Sequence, residues 1–111
     1  MALQMQELNA QAVPENNKAL YEVIIDNATV RVSRWLFKPG QMSGWHHHEL
    51  DYMGLHSTRN LLRYEMPDGR VETKDQVGIS GFIKAGAEHN VTNVGANDAE
   101  AYEIEFKRSA G

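Results

Sequence analysis

The sequence contains no cysteine. That removes a disulfide framework, a zinc–thiolate centre and a thiol nucleophile, so any metal must be held by nitrogen and oxygen ligands. Basic residues are also few: 11 Lys and Arg stand against 15 Asp and Glu, for a formal net charge of -4. No basic run follows phosphates along a groove, so the expected partner is a small molecule or a protein rather than nucleic acid. Long apolar runs are missing as well, and no stretch suits a bilayer span. The opening residues "MALQMQELNAQAVPENNK" lack the charged start and apolar middle of a signal peptide. Together these features predict a cytoplasmic protein without a membrane partner. Its 111 residues suit one domain with a modest core.

What the sequence does contain is short segments rich in Val, Ile, Tyr, Phe and Trp, beginning at Leu20. Nine candidate strands follow: "LYEVII", "ATVRVSRWLFK", "GWHHH", "DYMGLH", "NLLRYEM", "RVETK", "GISGFIK", "HNVTNV" and "EAYEIEFK". The segments between them carry the Gly, Pro, Asn and Asp residues that tight turns need. An all-β barrel over residues 19–109 is expected, behind an arm of residues 1–18 in which "LQMQELNAQ" suits a short helix. In the last strand, alternation predicts Tyr102, Ile104 and Phe106 on a buried face, with Glu103, Glu105 and Lys107 opposite.

Chemistry concentrates in "GWHHHELDYMG", residues 44–54. In an extended strand, His46 and His48 share one face and His47 takes the other. This is how a strand presents two metal ligands, and His89, after the turn "KAGAE", is the candidate third. The alternative is a solvated edge carrying imidazoles of no special role.

The spacing resembles the two motifs of the cupin superfamily. Gly40, "QMSGW", His46 and His48 match the first half of motif one, and Gly78, "ISGFI", Gly86, His89 and Asn93 match motif two, with Lys84 where the family has Pro. The resemblance implies an all-β fold, a single small cupin barrel of the double-stranded β-helix or jelly-roll type. It also implies one divalent transition metal per chain (Fe, Zn, Mn, Ni or Co) held by His46, His48 and His89. The family's glutamate ligand is absent from its usual place. Asp51 stands one residue early and is expected to replace it, which sends Asp51, Met53 and Leu55 inward. The opposite register points Tyr52, Gly54 and His56 inward, making Tyr52 a pocket hydroxyl and His56 an extra imidazole. Arg34 is a candidate clamp for a substrate carboxylate, and Asn93 a candidate partner for a ligand or a metal-bound histidine.

An imidazole-rich centre with an open position suits dioxygenase, isomerase or lyase chemistry on a carboxylate, enol or diketone. A non-catalytic binding or sensor barrel is the other reading. The chain also looks like small bacterial single-domain cupins related to quercetin dioxygenase or associated with β-alanine degradation. By the same analogy a homodimer is expected.

Overall fold

The computed structural model describes residues 15–108; the helix expected near the N-terminus lies outside them. Within this span the chain forms seven strands after a 3-10 turn at Glu15–Asn17: β1 (Leu20–Asp26), β2 (Val30–Phe37), β3 (His46–His47), β4 (Asp51–Glu65), β5 (Val71–Ile83), β6 (Glu88–Asn93) and β7 (Ala99–Phe106). All the ladders between these strands are antiparallel. β1 pairs β2, β2 pairs β7, and β7 pairs the first half of β4. Beyond that, β4 leaves β7 and pairs β6, which in turn pairs β3. The residues just before β1 are anchored too, because Ala19 and Asn17 exchange backbone hydrogen bonds with Met42.

Nine expected strands become seven because two breaks are bulges rather than turns. "STRN" and "DQV" lie within β4 and β5, which form one long hairpin closed by "PDG". The register slips between His56 and Asn60 and again between Gly54 and Leu55. On the partner strand Gly78 (φ 76°) and Gly81 (φ 123°) adopt backbone angles that a side chain with a Cβ disfavours. These slips curl the hairpin around the barrel.

The inward faces differ from the alternation expected for β7. Ala99, Ala101 and Glu105 are buried, and Glu103 shares their side, whereas Tyr102, Ile104 and Phe106 face outward. Glu105 is satisfied inside by Arg31 at 2.7 Å. The apolar residues are on the other side because that face carries its own hydrophobic surface: Phe82 packs on Phe106 with ring centroids 6.0 Å apart, yet remains 56% exposed. The core itself is small and sits at one end of the barrel, where Ala19, Phe37, Leu62, Val91 and Ala99 are buried together.

Candidate metal centre

β3 and β6 bring the histidines together through their register. His46 lies directly opposite His89, and His47 opposite Glu88. Paired residues project to the same face, so two imidazoles from strands distant in sequence meet. His48 follows the strand end, where its N–H donates to Ala87 O and its carbonyl accepts from Gly86 N–H. The turn holding Gly86 (φ 110°) therefore fixes His48 and delivers His89 at once. The side-chain nitrogens of His46, His48 and His89 lie within 4.8 Å of one another, a group that could hold a metal. His47 is exposed on the opposite face.

The donor set fits a transition metal in its protonation as well as its spacing. His46 Nδ1 lies 2.9 Å from the Gly44 carbonyl, a contact in which Nδ1–H donates and which leaves the Nε2 lone pair free. Burial, reinforced by His46 and His47, lowers the His48 pKa to about 4. Burial, with His46 and His48, lowers that of His89 to about 3. Both rings are therefore neutral near pH 7, and His48 Nε2 and His89 Nε2 stand 3.3 Å apart. Neutral imidazoles present lone pairs, which a cation satisfies better than either ring can satisfy the other.

Aromatic rings hold the cluster in place. Tyr52 stacks on His48 with centroids 4.0 Å apart, Trp35 lies 5.8 Å from His46, and Tyr64 meets His89 at 5.6 Å. Burial raises the Tyr52 hydroxyl above its ordinary pKa, so it is a neutral phenol. His46 and His89 open into a cavity of about 220 Å³ that Trp35, Tyr52, Tyr64 and Glu103 also line.

Several expectations need correction. Tyr52, Gly54 and His56 are buried, so β4 takes the opposite register to the one adopted from sequence. Asp51 turns away from the histidines: its carboxylate accepts the Ala85 N–H at 2.8 Å and stands 4.0 Å from Lys84, bracing the turn before His89. Arg34 lies on the outer face, bound to Glu100 at 2.6 Å and Glu22 at 3.0 Å, with no side open to the cavity as a clamp. Asn93 is 1% exposed and ties Phe37 O, Asn97 O and the Gly95 N–H together, a structural knot rather than a pocket residue.

Glu103, expected on the outer polar face of β7, is instead the carboxyl group nearest the centre among the residues described. Its Oε2 lies 3.8 Å from His48 Nε2. Burial raises its pKa to about 7, with the Trp35 indole opposing the shift. The signal was present as small Ala99 and Ala101 in phase with Glu103, which marks the face that must make room for a cavity.

A three-histidine centre at the mouth of an antiparallel barrel, set by these two motifs, defines the class: the chain belongs to the cupin superfamily. It is 39% identical to the β-alanine degradation protein BauB of Pseudomonas aeruginosa over 90 residues, which cover 81% of this chain and 95% of BauB. A cupin domain from Bordetella pertussis is 38% identical, with a TM-score of 0.77 over 82% of this chain and 95% of that one. The polyketide cyclase RemF of Streptomyces resistomycificus shares the fold alone, at 15% identity and a TM-score of 0.64 over 85% of this chain and 68% of RemF. No family model matches the sequence.

Proposed function

We propose that the protein is a metal-dependent enzyme that acts on a small oxygenated organic molecule, with His46, His48 and His89 as metal ligands and Glu103 as the proton-holding group beside them. The observation that carries this reading is the convergence of three neutral imidazoles and a largely buried carboxyl, with His46, His89 and Glu103 lining one cavity. When bound, a divalent transition metal such as Fe, Zn, Mn, Ni or Co would polarise an oxygen of the substrate. The chain's own residues do the rest. Tyr52 and Trp35 exclude water from the histidines, and Glu103 stands where it can take a proton from an enol or hydroxyl and return it. Similarity to BauB supports small-molecule catabolism as the setting.

The experiment is metal analysis of untagged protein by plasma mass spectrometry, followed by turnover assays chosen by the metal found: oxygen uptake with diketones and enediols for iron, isomerase and lyase substrates for the others. Metal at one per chain with turnover supports the proposal. Metal with tight binding and no turnover of any class leaves a binding barrel instead.

Glu103 gives a separate prediction. Its folded pKa lies above its ordinary 4.5, so the native state binds more protons than the unfolded chain between those values. The Glu103 contribution to stability therefore falls as pH rises from about 4.5 through 7. Glu103→Gln should raise the stability of metal-free protein at pH 8 by about 3 kcal/mol while lowering turnover. Denaturant melts at pH 5 and pH 8 check this, and an equal gain at both pH values would count against it.

The outer sheet face supports a homodimer. Leu55, Val77, Ile79 and Phe82 are 38–66% exposed on the β4–β5 hairpin, and Ile104 and Phe106 continue the surface on β7. A face this apolar is expected to be covered. Sedimentation should give the mass of two chains, and Phe82→Glu with Ile79→Lys should give one while retaining metal. A parent that sediments as a single chain would remove this reading.

A further inference from the structure

Beyond the histidine cluster, the same cavity is lined by His56 and Gln76. We propose that these two residues form a second recognition point, a pair of fixed hydrogen-bond donors for a carbonyl or carboxylate oxygen at the far end of the substrate. The proposal rests on the reading above for one end only, and it makes the substrate class bifunctional: a metal-chelating head and an oxygen-bearing tail.

The donor character of His56 follows from a closed chain of hydrogen bonds. Glu100 N–H donates to Thr58 Oγ1 at 2.9 Å, so the Thr58 hydroxyl donates onward to Asn60 Oδ1 at 2.6 Å. Asn60 Nδ2 donates to Glu100 O and lies 2.9 Å from His56 Nδ1. Both ends of this chain are backbone atoms of Glu100, so the amide cannot turn round. His56 Nδ1 must accept, and the ring proton sits on Nε2. His56 is 6% exposed, and its Nε2 has no hydrogen-bond partner among the described residues.

Gln76 is oriented by one contact. The Tyr64 hydroxyl, a neutral phenol, donates to Gln76 Oε1 at 2.6 Å, which leaves the Gln76 amide N–H groups to face the cavity. Gln76 stands two residues beyond Gly78, the residue opposite His56, so both side chains project from the same face of the hairpin. Two donors without protein acceptors need oxygen from elsewhere. Tyr64 connects the two ends, with its ring against His89 and its hydroxyl on Gln76. On β4, His56 is four residues from Tyr52, the ring stacked on His48, or about 13 Å along an extended strand. An extended chain of about eight carbons can reach between them.

Cobalt(II)-loaded protein titrated with three probes, followed by cobalt absorption, tests the proposal. Acetohydroxamate supplies the chelating head alone; suberic monohydroxamate adds a carboxylate on a tail of matching length, and its terminal amide adds a neutral carbonyl. At least one tailed probe should bind about tenfold or more tightly than acetohydroxamate, and comparison of the two tells a charged from a neutral oxygen. Gln76→Glu retains an oxygen for the Tyr64 hydroxyl but replaces a donor by an acceptor, so it should abolish the preference while leaving acetohydroxamate affinity unchanged. His56→Phe should do the same. Equal binding of all three probes to the parent, or a preference that survives in Gln76→Glu, overturns the proposal. Failure of the metal reading looks different: no cobalt absorption develops. In that event the His56 ring ¹⁵N and ¹H signals are followed during titration with succinate; a shift at Nε2–H supports the donor pair, and no shift overturns it.

Discussion

His89→Ala should strip the protein of its metal, with content falling to background in plasma mass spectrometry, and His46→Ala and His48→Ala should match it. The expectation follows from the geometry: only three side chains form the group, and none of the described carboxylates lies close enough to all of them to take a missing place. His47→Ala should leave the metal content unchanged, because that ring faces solvent across the strand. Asp51→Ala is the more telling control. It removes the acceptor of the Ala85 N–H and should cost about 1 kcal/mol of stability, with metal still bound at saturating supply. If Asp51→Ala instead lost metal as His89→Ala does, the carboxylate would have to swing inward in the loaded protein, and the role given to Asp51 here would be wrong.

Acid should unfold the metal-free protein well before it unfolds a barrel lacking these imidazoles. The folded pKa values of His48 and His89, about 4 and about 3, lie below their ordinary 6.5 because burial disfavours the charged rings. Between those values and 6.5 these two groups bind more protons in the unfolded chain than in the native state, so their contribution to stability rises with pH, outweighs the opposite contribution of the single Glu103, and is fully present above 6.5. On acidification it is lost progressively below 6.5. Two groups titrating together make the loss several kcal/mol by pH 4, enough to exhaust the margin of a small domain. Thermal melts of chelator-treated protein from pH 8 to pH 4 would show it, and the limb should flatten in the doubly substituted His48→Gln, His89→Gln protein. An acid limb of unchanged slope in that variant would assign the effect elsewhere. Bound metal should move the whole limb to lower pH, since the cation competes with protons for the same lone pairs.

Much of this was legible in the sequence. Val, Ile and aromatic runs with turn residues between them gave the strands, and two spaced motifs gave the three histidines. Period-two alternation then separated His47 from its neighbours. What alternation does not reveal is which of two faces looks inward. In β7 the face bearing Tyr102, Ile104 and Phe106 looked like a core, yet the barrel turns Ala101 and Glu103 inside and offers the apolar face to the surroundings. The same ambiguity misplaced Asp51, because shifting β4 by one residue exchanges Met53 and Leu55 for Tyr52 and His56. A cavity with chemistry in it reverses the usual sorting of polar and apolar side chains, so hydrophobicity is least informative about the strands nearest the site. Turn-like composition also misled: "STRN" and "DQV" contain residues suited to a loop, but a bulge needs many of the same residues.

That bulge has a further consequence. Between His56 and Asn60 the chain of β4 runs three residues while its partner runs one. The slack separates the half of the strand registered on β7 from the half registered on β6, much as an expansion joint separates two spans of a bridge. Shifts at the outer loop "PDG" can then be absorbed before they reach Tyr52 and its stack on His48, whereas Tyr64 and its contact with His89 lie on the loop side of the joint. The two halves of the strand thus hold different histidines, His48 through Tyr52 and His89 through Tyr64, and each can adjust without dragging the other.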